Sequence, residues 1–240
     1  ASNVKTALAS SGITTVTDSS LAVTVSGTTT SVSDINTINS DTATGVVTAT
    51  TDIGDATTLK TLNTDNFDAI SITMANVSTT ASDLIAIIDK TSEVVDASNI
   101  SELTGNATDI QTVLASSDIT LVNDGSLAVE ITGTPSVTEI NNIDGNSAVG
   151  SVTATVNTGD ASTLTGLTTD NTDTITINMA ATSTSAADLN TIDTKTGTAI
   201  NATAITVLTG TLSVITSALA SSGITAVASN LGVSLDDTSA

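Results

Sequence analysis

An α/β repeat fold is what this sequence predicts: a solenoid of strand-loop-short-helix rungs, each about 25 residues long, built on a parallel β-sheet. Three observations predict it. First, the chain of 240 residues lies on top of itself when shifted by about 105 positions. Leu8-Ala-Ser-Ser-Gly-Ile-Thr14 returns as Leu114-Ala-Ser-Ser-Asp-Ile-Thr120 and again as Leu219-Ala-Ser-Ser-Gly-Ile-Thr225. Thr64-Asp-Asn-Phe-Asp68 matches Thr169-Asp-Asn-Thr-Asp173, with one gap in register near Thr28. Second, a pair of apolar residues at helical spacing recurs inside each module, about four times per repeat. Third, β-branched segments alternating with Thr or Ser separate those pairs. One such unit has too little apolar surface to stand alone, so units must stack and share a core. Successive strands then pair in parallel through right-handed crossovers.

The helical elements come first. The pairs are Ile35/Ile38, Leu59/Leu62, Leu84/Ile87, Ile110/Val113, Ile140/Ile143, Leu164/Leu167, Leu189/Ile192 and Ile215/Ala218. They predict short helices of about 8–10 residues. Four open on a hydroxyl with an acid three residues on: Ser31 with Asp34, Thr80 with Asp83, Ser136 with Glu139, and Ser185 with Asp188. In that arrangement both side chains can satisfy orphan N–H groups at the helix start. Asp55, Asp160 and Asn106 are the expected N-caps of other helices.

The extended elements predicted from period-2 alternation are Val46–Thr50, Ile70–Met74, Val94–Val95, Leu127–Ile131, Val152–Val156 and Ile175–Met179. Thr-x-Thr pairs (Thr15/Thr17, Thr48/Thr50, Thr153/Thr155, Thr174/Thr176) place threonine on an outward strand face. Such ranks suit ice or carbohydrate, and threonine is also simply a good residue for an exposed strand. Asp18 and Asn123-Asp124-Gly125 read as turns. The modules divide as 8–113 and 114–218, with 1–7 ending a preceding module and 219–240 starting a third. The chain therefore reads as a segment of a longer tandem array or a processed subunit.

Composition narrows function. Four lysines face 25 carboxylates, for a net charge of −21. Phosphate neutralisation needs clustered Lys and Arg, so nucleic acid is disfavoured, and anionic membrane surfaces with it. There is no His, Cys, Arg or Tyr and a single Phe, Phe67. That removes most general bases and activated nucleophiles, and the expectation is a protein that is not an enzyme. No organic cofactor is expected. The candidate metal ligands are Asp65, Asn66 and Asp68, with Asp170, Asn171 and Asp173 one module on. An Asp-Asn-x-Asp turn offers oxygen ligands to Ca²⁺, and divalent cations would relieve the self-repulsion of an acidic chain. The alternative for these residues is Asx-turn punctuation. Asp34, Asp83, Glu139 and Asp188 are read as helix-start residues, where the macrodipole favours negative charge.

Ser185-Ala-Ala-Asp-Leu-Asn-Thr-Ile-Asp-Thr-Lys-Thr196, Leu208-Thr-Gly210 and Ala218-Leu-Ala-Ser-Ser-Gly-Ile-Thr225 carry a resemblance. They are similar to the tandem repeats of giant secreted surface proteins of marine cyanobacteria, the swimming-associated type of marine Synechococcus among them. The resemblance implies an exported surface or matrix component in a calcium-rich environment. The expected function is thus a structural extracellular rod or fibre formed by head-to-tail stacking. A calcium-stabilised adhesin extender or ligand-binding surface is the alternative.

Overall fold

In the computed structural model the chain is a mixed α/β protein with parallel sheets, which form no closed barrel among the described residues. The structure describes residues 1–10, 21–27, 29–42, 45–75, 77–225 and 227–236. The expected Thr15/Thr17 pair, the Asp18 turn and the gap at Thr28 lie outside them. In chain order the first elements are α1 (Ser2–Leu8), β1 (Val23–Thr24), α2 (Val32–Asp41), β2 (Val47–Thr50), α3 (Ala56–Leu59), β3 (Ala69–Ser71), β4 (Ser78–Thr80), α4 (Ala81–Ile88) and β5 (Val95–Ala97). Then come β6 (Glu102–Gly105), α5 (Ala107–Ala115), β7 (Ile119–Leu121), β8 (Leu127–Ile131), α6 (Val137–Asp144), β9 (Val149–Thr155) and α7 (Ala161–Leu164). The last are β10 (Thr174–Thr176), β11 (Ser183–Ser185), α8 (Ala186–Asp193), β12 (Ile200–Asn201), β13 (Val207–Gly210), α9 (Leu212–Ala220), β14 (Ile224–Thr225) and β15 (Gly232–Leu235).

The chain forms two compact units, residues 1–104 with 112–123, and 105–111 with 124–240. In the first unit β1 pairs with β2 and β2 with β3, a bridge joins Thr73 to Asp96 in β5, and β5 pairs with β7. Strand β4 pairs with β6. In the second unit β8, β9 and β10 follow one another, and Asn178 bridges to Asn201 in β12, which pairs with β14. Strands β11, β13 and β15 form a further sheet. Every one of these pairings is parallel, and each partner lies about 20–25 residues further along the chain, one repeat step away.

Both members of all eight apolar pairs are buried, and the inward strand residues Val47, Ile70, Val95, Val152, Ile175 and Ile200 complete the core. Helices α3 and α7 are shorter than expected, four residues each. Their pairs straddle the helix end, so Leu62 and Leu167 are buried from the following turn. The strands that alternation misses, such as β4 and β11, present a single inward residue, too few to show a period. Glycine permits the closest strand approach: a Cβ on Gly150 would sit 2.1 Å from the carbonyl oxygen of Gly125, and Gly45 meets Leu21 in the same way.

The capping signals form in part as expected. Backbone N–H groups of Asp34, Asp83, Glu139 and Asp188 donate to the hydroxyls of Ser31, Thr80, Ser136 and Ser185. Asp55, Asp160 and Asn106 also accept from the N–H three residues on. Among the described residues the reciprocal bond forms only at Ser136, whose N–H donates to Glu139 Oε2 at 2.8 Å. Aspartate is one methylene shorter. Asp34 and Asp83 instead take the lysine of the preceding step, Lys5 and Lys60 respectively. These half-buried pairs at the surface remain open to solvent and add little stability on their own.

Two buried hydroxyls among the described residues lack a partner: Thr79 Oγ1 in β4 and Thr184 Oγ1 in β11, again one module apart. A buried polar atom without a partner is destabilising, and removing it without changing shape recovers the cost. Thr184→Val should therefore raise stability by about 1 kcal/mol in urea unfolding. An unchanged or lower midpoint would show that the hydroxyl is satisfied.

Candidate functional site

The Asp-Asn-x-Asp turns follow α3 and α7 and lead into β3 and β10. Asp68 is buried at 5 % exposure and Asp173 at 3 %. Each carboxylate receives two backbone donors. Val47 N–H donates to Asp68 Oδ1 at 2.7 Å and Asp65 N–H to Oδ2 at 3.0 Å. Val152 N–H and Asp170 N–H treat Asp173 identically, at 2.7 and 2.9 Å. The main chain then reaches the other way, with Ser92 N–H donating to Asp68 O at 2.7 Å and Gly197 N–H to Asp173 O at 2.8 Å. One residue thus ties the step before it to the step after it. Asp65 and Asp170 close the turn by accepting from the N–H of Phe67 and Thr172. The Thr172 hydroxyl, followed by its N–H, holds the Asp170 carboxyl below the usual carboxylate range.

Beside each turn a buried threonine substitutes for a missing strand. Thr91 Oγ1 accepts from Ile70 N–H at 2.9 Å and Glu93 N–H at 3.0 Å, and donates to Ile70 O at 2.7 Å. Thr196 repeats all three bonds with Ile175 and Thr198. One donor and two acceptors exhaust a hydroxyl. The sequence reading missed Thr91 and Thr196. The signal was present, because Lys90-Thr91 and Lys195-Thr196 are one of the identical pairs a module apart.

The six candidate metal ligands are brought into two separate turns, three in each. They do not fit a calcium cage. Both oxygens of Asp68 and of Asp173 already hold a backbone N–H, and Asn66 and Asn171 are exposed. Among the described residues no three carboxylates converge as metal ligands. The geometry favours the turn reading for these positions.

The two turns differ in their walls. In the first, a cleft of about 370 Å³ is lined by Asn39, Val46, Asn63, Asp65 and Phe67 among others. The matching positions one module on are Asp144, Ser151, Thr168, Asp170 and Thr172. Asp144 is the last residue of α6, where the helix dipole disfavours an anion. Burial, then the negative charge of Asp173, pushes its carboxyl above the usual range, against one hydrogen bond from Thr168.

No protein family, curated protein or solved structure matches this chain.

Asp173→Asn sets an amide N–H against one of two backbone donors, leaving it unpaired. It should cost about 1–3 kcal/mol. The loss should be the same in calcium and in chelator. A loss seen only with calcium present would make Asp173 a metal ligand. Asp144→Asn, the residue found at position 39 of the first copy, should have the opposite sign. A raised folded value means that the stability Asp144 contributes is full below its ordinary value of 3.8 and is lost as pH rises through the raised range. The variant should melt higher than wild type at neutral pH, with the gap closing in acid. A gap that is independent of pH would refute the charge argument.

Proposed function

We propose that this chain is a structural segment of an extracellular repeat protein. In this reading the parallel pairings continue as an α/β solenoid that stacks head to tail into a rod or fibre. The observation that carries the proposal is the repetition of the bonds themselves. Asp68 and Asp173 make the same three contacts, as do Thr91 and Thr196. A device repeated at module spacing extends by adding copies, with no new type of contact. The sheet edge supports it too. Strand β15 has all four residues exposed, Val233 at 50 % and Leu235 at 57 %, and a further strand in the same register would cover them.

Self-association is the partner this reading implies, since heterologous contacts that do not close generate filaments. Among the described residues no helix is long and apolar enough to cross a membrane. The scaffold reading needs no catalytic residue. Divalent cations enter it as diffuse counterions to a charge of −21, not as ligands of the Asp-Asn-x-Asp turns.

Strands about 4.8 Å apart give four rungs roughly 19 Å of length per module. In small-angle scattering, doubling the number of modules should therefore nearly double the maximum dimension. A compact globule would grow its radius of gyration only about 1.3-fold on doubling. That smaller growth would refute the solenoid, and a monodisperse monomer at high concentration would refute stacking.

A further inference from the structure

The one aromatic residue of the chain does not serve the core. Phe67 is 76 % exposed and Val46 beside it is 40 % exposed, and both line the cleft of the first Asp-Asn-x-Asp turn. Burying a phenyl ring is among the largest single gains available to a core otherwise built of aliphatic residues, so its position outside calls for a reason.

The second copy shows that the fold does not supply it. Thr172 stands where Phe67 does, and its N–H donates to Asp170 as that of Phe67 does to Asp65, at 2.7 against 2.9 Å. Ser151 stands for Val46, Asp144 for Asn39 and Thr168 for Asn63. The clamps are unchanged while the walls are exchanged. Beyond the aspartates that both turns share, the first has an apolar platform and amides, and the second has one carboxylate and hydroxyls.

From this we infer that the cleft at Phe67 is a carbohydrate subsite, taking one neutral sugar ring on the Phe67–Val46 platform. The ring's C–H face would stack on the phenyl, and its hydroxyls would donate to Asp65 and meet the amides along the cleft. Three considerations select this ligand. The platform is two side chains, and an aromatic side chain buries only about 150–250 Å², whereas a stable protein interface needs about 1,200–2,000 Å². That scale suits a single sugar unit. A chain of net charge −21 repels anionic glycans. The polar wall is two amides and two carboxylates, of which Asp68 has both oxygens occupied by backbone donors: Asn39 Nδ2 donates to Asn63 O, and Asn63 Nδ2 donates to Asn36 O and Ser40 Oγ. An amine would find one ring and the Asp65 carboxylate.

The test uses the whole chain in saturation-transfer NMR with lactose, cellobiose and mannobiose. Glucuronate and lysine methyl ester serve as the anionic and cationic arms, each to about 10 mM, which reaches Kd values near the millimolar range. Wild type should transfer magnetisation to the C–H protons of at least one neutral sugar. Phe67→Thr, which installs the residue of the second copy, should weaken that binding at least tenfold with the melting temperature unchanged. Phe67→Leu keeps an apolar side chain without the ring, and it should lose binding as well. No transfer to any neutral sugar would overturn the inference. So would binding retained in both variants, or binding of the amine alone.

Discussion

A main-chain N–H removed from water must find an acceptor, and in this protein the acceptor repeatedly comes from a neighbouring repeat step. The parallel ladders meet that need where strands are in register. Between them, where the chain turns from helix to strand, side chains take over. Asp68 and Asp173 accept from the preceding step, while Thr91 and Thr196 close both polar groups of Ile70 and Ile175. In the helical layer Asn36 and Asn141 do the same, accepting the N–H of Asn63 and Thr168. A buried carboxylate is tolerated because charge-assisted bonds to backbone N–H groups replace its hydration.

The composition follows from this constraint. Strands and helices of a few residues each offer few inward positions, and Ala, Val, Ile and Leu fill most of them without a ring. Short polar side chains reach backbone groups one step away while losing little rotamer freedom. Serine and threonine are consequently abundant for structural reasons. Many of the acids are equally accounted for. Asp34 and Asp83 sit at helix starts and take lysine, and Asp55 and Asp160 cap. Glu139 completes a capping box, where the Ser136 N–H holds its carboxyl below the usual range.

Much of this was legible in the residues. The module period, the eight buried pairs and the caps all carry a local signal, because helix starts and apolar spacing are encoded within a few neighbouring positions. The parallel pairing followed from the period. What escaped was non-local. Three-residue strands such as β4 carry one inward residue and no alternation. The threonine clamps act on residues about 20 positions away, so no window around Thr91 reveals them. The Asp-Asn-x-Asp turns were legible as a motif, yet their chemistry was not. Metal ligand and backbone acceptor look alike in sequence, and only the direction of each oxygen separates them. The exchange of Phe67 for Thr172 gained meaning once both turns proved to have the same bonds.

The claim that a buried carboxylate holds the adjoining step together is most directly tested by amide hydrogen exchange under native conditions. Val47 and Val152 N–H should exchange as slowly as the amides of the ladders around them. In Asp68→Ala, which leaves no side-chain acceptor, the Val47 amide should lose protection selectively while Val152, whose acceptor is Asp173, keeps it. Equal protection at Val47 with and without the Asp68 carboxylate would contradict the claim, and loss at both valines together would show global destabilisation instead.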